Sequence, residues 1–355
     1  METTAAKVNE MERLVVDGFG KFISAEGTNI VVREFSGKEK KTLYYVPVDT
    51  LRQVIISGKG SISVDAMNLL AKNQVDVVII DSRGEVTAKV APMEFRTVKT
   101  RREQYYAYND HRSGYLAKKF IEGKARNQYA LLGTLAKSRK DVKPEVADAL
   151  VAARDSIRPL IEAITTFPDE PIEKIRNPLM GTEGMISDIY WKAFKTVIPD
   201  DFNFMERSGR NATDPVNAML NYGYGILEGE IHRAIHIAGL DPYAGYLHAD
   251  RPGSSTLTYD LMEEFRQQIV DKTVVAQVTK GVIKPSNFTT KDGMCRLDDN
   301  ARKGLLKDVL EKFEDYTTKG DERIKLCDLM VGQARAVAKY LRGEATTYEP
   351  YYLRW

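Results

Sequence analysis

The chain has 355 residues, 43% of them hydrophobic and 29% charged, with 52 basic against 50 acidic side chains and a net charge of +2. That is the composition of an ordinary soluble protein, long enough for two domains with separate cores. There is no apolar run near the roughly 18 residues a membrane span needs, no signal-peptide pattern, and only two isolated cysteines, Cys295 and Cys327. A membrane protein, a disulfide scaffold and a zinc module are therefore set aside, and the expected compartment is the cytoplasm.

Residues 1–10, METTAAKVNE, read as a polar leader. From residue 11 to about 95 the sequence is β-rich. RLVVDG, KFISAEG, NIVVREF, TLYYVP, QVIISG and DVVIIDS are short β-branched or aromatic runs divided by Gly, Pro or polar turns. One amphipathic helix interrupts them at 63–73, with Val64, Met67, Leu70 and Ala71 at helical spacing. GFGKF at 18–22 reads as a hairpin turn rather than a nucleotide cradle. A linker is expected at 96–103, and the pattern from 104 to 355 is helical. The expected class is thus α+β, a small β-rich N-terminal domain before a larger all-helical C-terminal one.

Between Arg96 and Arg126 nine basic residues stand against three acidic ones, with five tyrosines nearby. Arg101, Arg102, Lys118 and Lys119 belong to this tract. Basic side chains beside aromatics suit a phosphate backbone with a frayed or single-stranded end. A solvated helix face with inward-packed tyrosines accounts for the same pattern.

Three later segments carry acids and an imidazole. In NPLMGTEGMISDIYW, Glu183 precedes an apolar stripe and is expected in the first turn of a helix, where the helix dipole alone favours an acid. Asp214-Pro215 is a helix-start signature; Arg207, Arg210 and Asn217 cluster around it. GYGILEG at 223–229 has no preceding strand, so its glycines are read as packing positions. His232 and His236 lack the glutamate of a zinc-protease helix.

The third segment, YLHADRPGSSTLTYDLMEEFR at 246–266, places His248 and Arg251 upstream of Asp260, Glu263 and Glu264. A helix over 258–270 would bury Leu261, Met262, Phe265 and Ile269 and turn Asp260, Glu263 and Gln267 the other way. That polar face is either a plain solvated surface or the wall of a groove. An imidazole with carboxylates suits magnesium or manganese acting on a phosphate ester. GVIKPSNFTTKDGMCR near 280–295 is expected to form a loop or small hairpin.

Taken together, the Glu183 and His248 segments, DPVNAMLNYGYGILEGE and the ending ARAVAKYLRGEATTYEPYYLRW resemble the CRISPR-associated spacer-acquisition integrases, the Cas1 family, in the family's order from about Met11 to Trp355. The resemblance implies that Glu183, His248 and Glu263 are catalytic and hold Mg2+ or Mn2+, with Asp260 and Asn217 in support. It implies DNA contacts from Arg101, Arg102, Lys118, Lys119, Arg207, Arg210 and Arg251. It further implies a homodimer joined through the β-rich domain, a helical catalytic domain, and a complex with the small Cas2 protein. The expected activity is endonuclease and integrase chemistry on prespacer and leader–repeat DNA. A casposase-like transposon integrase is the alternative enzyme, disfavoured by the lack of a helix-turn-helix after the core. A non-catalytic DNA-binding subunit is the alternative outside enzymes.

Overall fold

The computed structural model of the chain describes residues 13–36, 39–81, 86–90, 98–209, 211–291, 293–320 and 322–353. It divides into two compact units, 1–95 and 96–355. The leader expected at 1–10 and the expected phosphate contact Arg210 lie outside the described residues.

The first unit is a six-stranded sheet, made of β1 (Arg13–Glu26), β2 (Asn29–Ser36), β3 (Glu39–Pro47), β4 (Gln53–Ile62), β5 (Asp76–Ile80) and β6 (Val86–Val90), in the order β3-β2-β1-β4-β5-β6. The β1–β4 and β4–β5 pairs are parallel and the others antiparallel. Helix α1 (Val64–Lys72) makes the crossover between the parallel strands β4 and β5. Its N-cap Ser63 accepts a hydrogen bond from the Ala66 amide at 3.1 Å. Leu14, Val16, Ile23, Ile30, Val32, Val54, Leu70 and Val77 form the core between helix and sheet.

The GFG expected to turn a hairpin does not turn. It is a bulge inside one long strand, where the β1–β4 register shifts between Phe19 and Lys21. Gly18 and Gly20 take positive φ values of 101° and 70°. Across the ladder, a Cβ on Gly58 or Gly60 would collide with the backbone of Gly18 or Lys21. Glycines on both strands let the chains approach closely while the ladder continues.

The second unit is mostly helical. Its elements are α2 (Val98–Ala107), α3 (His111–Lys137), α4 (Pro144–Thr166), α5 (Ile172–Lys195), α6 (Pro215–Ile237), α7 (Thr256–Met262), α8 (Lys272–Thr279), α9 (Asp299–Glu314) and α10 (Leu326–Leu341). Helix α2 begins inside the stretch expected as a linker. β7 (Phe288–Lys291) pairs antiparallel with β8 (Met294–Leu297), a small hairpin of the kind the 280–295 segment suggests, and β9 (Tyr316–Lys319) with β10 (Glu322–Lys325) forms a second ribbon where the sequence pattern presents only helix.

Helices α3, α4 and α5 pack on one another, and α6 packs against α7, α9 and α10. Asp214 caps α6 by accepting from the Asn217 amide at 2.9 Å, with Pro215 following. Gly223 of α6 faces Val270, whose Cγ1 would stand 2.6 Å from an added Cβ, so this glycine admits a close helix approach.

Two helices differ from expectation in ways that shape the site. Helix α5 starts at Ile172 and runs through Pro178 and Gly181, so Glu183 lies at its middle rather than in its first turn. The capping explanation for that glutamate therefore falls. The helix expected over 258–270 is broken. Helix α7 ends at Met262, residues 263–265 form a turn, and Gln267–Asp271 form a π-helical segment leading into α8. Wider turns of this kind re-aim side chains relative to an α-helical wheel.

Candidate metal centre

Asp260, Glu263 and Glu264 are 0%, 3% and 0% exposed, so the acidic face is interior rather than a solvated surface. A buried carboxylate needs partners, and each of the three has a different set.

Asp260 accepts from three successive backbone amides: Tyr246 at 2.7 Å and Leu247 at 3.0 Å through Oδ2, and His248 at 3.1 Å through Oδ1. Its Oδ1 also lies 2.7 Å from His248 Nδ1. Arg176 holds the same loop from its carbonyl side, donating to Tyr246 O and Leu247 O at 3.2 Å each. Arg176 stands seven residues before Glu183 on α5, two turns away on one face. Gly245 fits only without a side chain, because a Cβ would come within 2.6 Å of the Thr256 carbonyl carbon and 2.8 Å of Asp260 Oδ2. The imidazole is therefore aimed by its surroundings. With the Nδ1 proton given to Asp260, the Nε2 lone pair is the one left for a ligand. Burial pulls the His248 pKa down, but the Asp260 hydrogen bond and the charges of Asp260 and Glu263 outweigh it and raise it above its ordinary value.

Glu263 meets Glu183 through Lys124. The Lys124 ammonium lies 2.5 Å from Glu183 Oε1 and 3.1 Å from Glu263 Oε2. Glu183 Oε1 also accepts from Ser187 Oγ, one turn on, at 2.8 Å. Arg266 reaches Glu263 Oε1 at 3.3 Å. Burial alone would push the Glu263 carboxyl up; Arg266, Lys124 and His248 overcome it and hold it at about 2. Glu183 and Glu263 are thus brought around one cation, with His248 close enough for its charge to matter to Glu263.

Glu183, His248 and Glu263 offer two carboxylates and an imidazole, a donor set suited to Mg2+ or Mn2+. The pair already holds one positive charge, and Glu263 Oε2 is buried with no hydrogen bond beyond its ion-pair contact with Lys124. The residues therefore fit a divalent ion in kind. They do not close on a single point as they stand: among the described residues, no three His, Cys, Asp or Glu side chains form a group that could hold a metal.

Sequence reading missed Lys124, Arg176 and Arg266 as parts of this site. The i,i+3 spacing of Glu263 and Arg266 was a usable signal. The Lys124 contacts join residues too distant in the chain for spacing to reveal.

The expected DNA contacts divide. Lys118 is buried, donating to Phe167 O and pairing with Asp169, each at 2.5 Å. Lys119 pairs with Glu122 at 3.1 Å and Glu349 at 3.6 Å. Both ammonium groups are engaged by protein carboxylates, Lys118 buried and Lys119 half-buried. Arg207 likewise turns inward: it donates to Asn217 Oδ1 at 2.9 Å and Asn221 Oδ1 at 2.8 Å and lies over Tyr224. Asn217 is buried and fully used by Arg207, the Ser208 amide, Glu206 O and Asp214, which makes it the organiser of the loop before α6. Arg102 and Arg251 are exposed and Arg101 is half-buried, while Tyr105 and Tyr106 beside them are 48% and 64% exposed.

His232 and His236 both lie on α6.

The chain is 45% identical over 349 residues to "CRISPR-associated endonuclease Cas1 1" of Archaeoglobus fulgidus, covering 97% of this chain and all of that one. Among solved structures, a casposase bound to integration product superposes with a TM-score of 0.80 at 25% identity, over 96% of this chain and 93% of that one. A Cas6-RT-Cas1–Cas2 complex shares the fold with a TM-score of 0.76 at 20% identity, over 96% of this chain and 36% of that chain. The model of the family described as "CRISPR associated protein Cas1" matches residues 14–311. With that match across both units and a full-length relative at this identity, the chain belongs to the Cas1 family.

Proposed function

We propose that this protein is a divalent-metal-dependent DNA endonuclease and integrase that inserts spacer DNA into a CRISPR array. The observation carrying this reading is the meeting of Glu183 and Glu263 around one cation, beside an imidazole whose Nδ1 is committed to Asp260. Glu183, His248 and Glu263 would hold Mg2+ or Mn2+. When bound there, such an ion supplies Lewis acidity to the scissile phosphate and acidifies the attacking hydroxyl.

The chain's own residues supply the rest. Asp260 and Arg176 fix the His248 loop from both sides, and Arg266 keeps Glu263 ionised. The 3′ oxygen of a prespacer end forms a bond to phosphorus as the bond to the leaving 3′ oxygen of the leader–repeat strand breaks. The attacking hydroxyl gives its proton to solvent and the departing 3′ oxygen takes one up, leaving a new 3′ hydroxyl. One phosphodiester replaces another, so ATP is not consumed. With water in place of the hydroxyl, the outcome is endonucleolytic cleavage.

The partners we infer are prespacer and leader–repeat DNA, a second copy of the chain, and Cas2, with action in the cytoplasm. A Cas1 relative solved together with Cas2 supports that assembly. Fold similarity to a casposase bound to integration product supports strand transfer as the chemistry. It also keeps a casposase-like preference for transposon ends as the competing reading. No described helix is long and apolar enough to cross a membrane.

The test is strand transfer on branched DNA with Mn2+, comparing wild type with Glu183→Ala and His248→Ala. Joined product from wild type alone supports the reading. Full activity in excess chelator, or from both variants, overturns it. Adding Cas2 and presenting leader–repeat DNA against transposon ends separates the two integrase readings.

A further inference from the structure

Lys124 is a cation built into the place where the two candidate ligands meet. Its ammonium lies 2.5 Å from Glu183 Oε1 and 3.1 Å from Glu263 Oε2, with its side chain 16% exposed. Its backbone is fixed. The preceding Gly123 is packed so closely that a Cβ would stand 3.0 Å from both Glu264 Cγ and Pro350 Cβ. Three residues on, Asn127 donates to Glu264 O at 2.8 Å and to Tyr351 O at 3.0 Å. Helix α3 is therefore pinned to the turn that carries Glu263, and the four-carbon stem of Lys124 is the part free to move.

We propose that Lys124 is a resident counter-ion of the metal centre: it holds Glu183 and Glu263 together without metal and must leave them when a divalent ion enters. The inference rests on the metal reading above. A monovalent and a divalent cation repel strongly at the separations two carboxylates impose, so both cannot share the pair. Without the ammonium, Glu183 and Glu263 would repel one another. With it, the centre keeps its shape, and metal affinity is lowered by the competition. Lys124 is thus a positioning residue, whose signature is a metal affinity that improves when the lysine charge is removed.

The experiment titrates Mn2+ into wild type, Lys124→Met and Glu183→Gln, following the spin-resonance signal of free Mn2+. Weaker binding by Glu183→Gln, with binding at least about tenfold tighter in Lys124→Met, supports the proposal. Unchanged or weaker binding by a folded Lys124→Met, alongside a normal wild-type isotherm and a weakened Glu183→Gln, overturns the counter-ion role and leaves the metal reading intact. No Mn2+ binding by wild type overturns both.

Removing a buried counter-charge can itself unfold the protein, so wild type carries a second arm. Reductive methylation of Lys124, read by mass spectrometry, should be slow without metal and rise several-fold at saturating Mn2+. Labelling that does not respond to Mn2+ overturns the displacement.

Discussion

Glu263 and Glu264 are adjacent, equally buried, and surrounded by opposite chemistry. Glu263 faces Lys124, Arg266 and His248 and is held at about 2. Glu264's hydrogen-bond partners are neutral, the Tyr348 hydroxyl, Gln333 Nε2 at 2.8 Å and the Tyr351 amide at 2.8 Å, and Lys319 is the cation whose charge draws it down. Burial there outweighs the hydrogen bonds and pushes its carboxyl up to about 7. One peptide bond separates a carboxylate kept charged among cations from one kept close to neutrality among tyrosines and glutamine. Burial alone therefore does not tell a site from a brace; the sign of the neighbours does.

The sharpest way to break this contrast is to neutralise each carboxylate. Glu263→Gln should lower strand transfer by about 10³-fold or more, the scale on which loss of a transition-state electrostatic partner is felt. Glu264→Gln, which keeps shape and, with the Tyr348 hydroxyl turned to accept, its hydrogen-bond partners, should stay within about tenfold of wild type. Equal losses in a single-turnover assay would dissolve the distinction.

One step out from the proposed metal site, Asp260→Asn removes the charge and one of the two acceptor oxygens that hold His248 and its loop. It should cost about 10–100-fold in Mn2+ affinity, the usual range for a group behind a metal-bound histidine. Unchanged affinity in a Mn2+ titration would mean that the loop amides and Arg176 suffice to aim the ring.

The two glutamates should also respond to pH with opposite sign. Glu264 has its folded pKa raised from 4.5 to about 7. Its stabilising contribution is present below 4.5 and is lost as pH rises to about 7, on the order of 3 kcal/mol. Glu263 is depressed from 4.5 to about 2, so its contribution is present above 4.5 and lost as pH falls toward 2. Urea melts of wild type and Glu264→Gln at pH 5 and pH 8 measure the first effect. A variant that keeps the full wild-type difference would assign it elsewhere.

The smallest expected effect concerns the basic tract. Arg102→Ala should weaken duplex binding modestly and reduce its salt slope by about one. Lys118→Ala should leave the slope unchanged, because that lysine already serves Phe167 O and Asp169. Salt-dependent fluorescence anisotropy distinguishes them.

What the sequence made legible follows from the range of the forces involved. The strand runs and α1 were readable because alternation and capping are local. The bulge at Gly18–Gly20 was misread as a turn, since its cause is the pair Gly58 and Gly60 on the neighbouring strand. Helix α5 was expected to begin near Glu183, ahead of its apolar stripe, yet the helix runs from Ile172 through Pro178 and Gly181. The π segment at Gln267–Asp271 defeated the helical wheel, which assumes constant period. As for the site, the order and wording of three segments pointed to Glu183, His248 and Glu263. Lys124 was counted only as one charge in a basic tract. Its partners lie 59 residues away at Glu183, and farther still at Glu263, where local patterns carry no information.

The clasp behind Glu264 has a consequence for how the protein is made. Tyr348, Tyr351 and Leu353 close onto Glu264 and Asn127, the last of these contacts bridging 226 residues of chain. Tyr351 also stacks on Phe265, two residues from Glu263. On a translating ribosome, α3 and the 263–265 turn emerge long before their clasp exists. The contacts that brace the turn carrying Glu263 are therefore completed only after residue 353 has emerged, so the proposed metal centre gains this bracing late in synthesis.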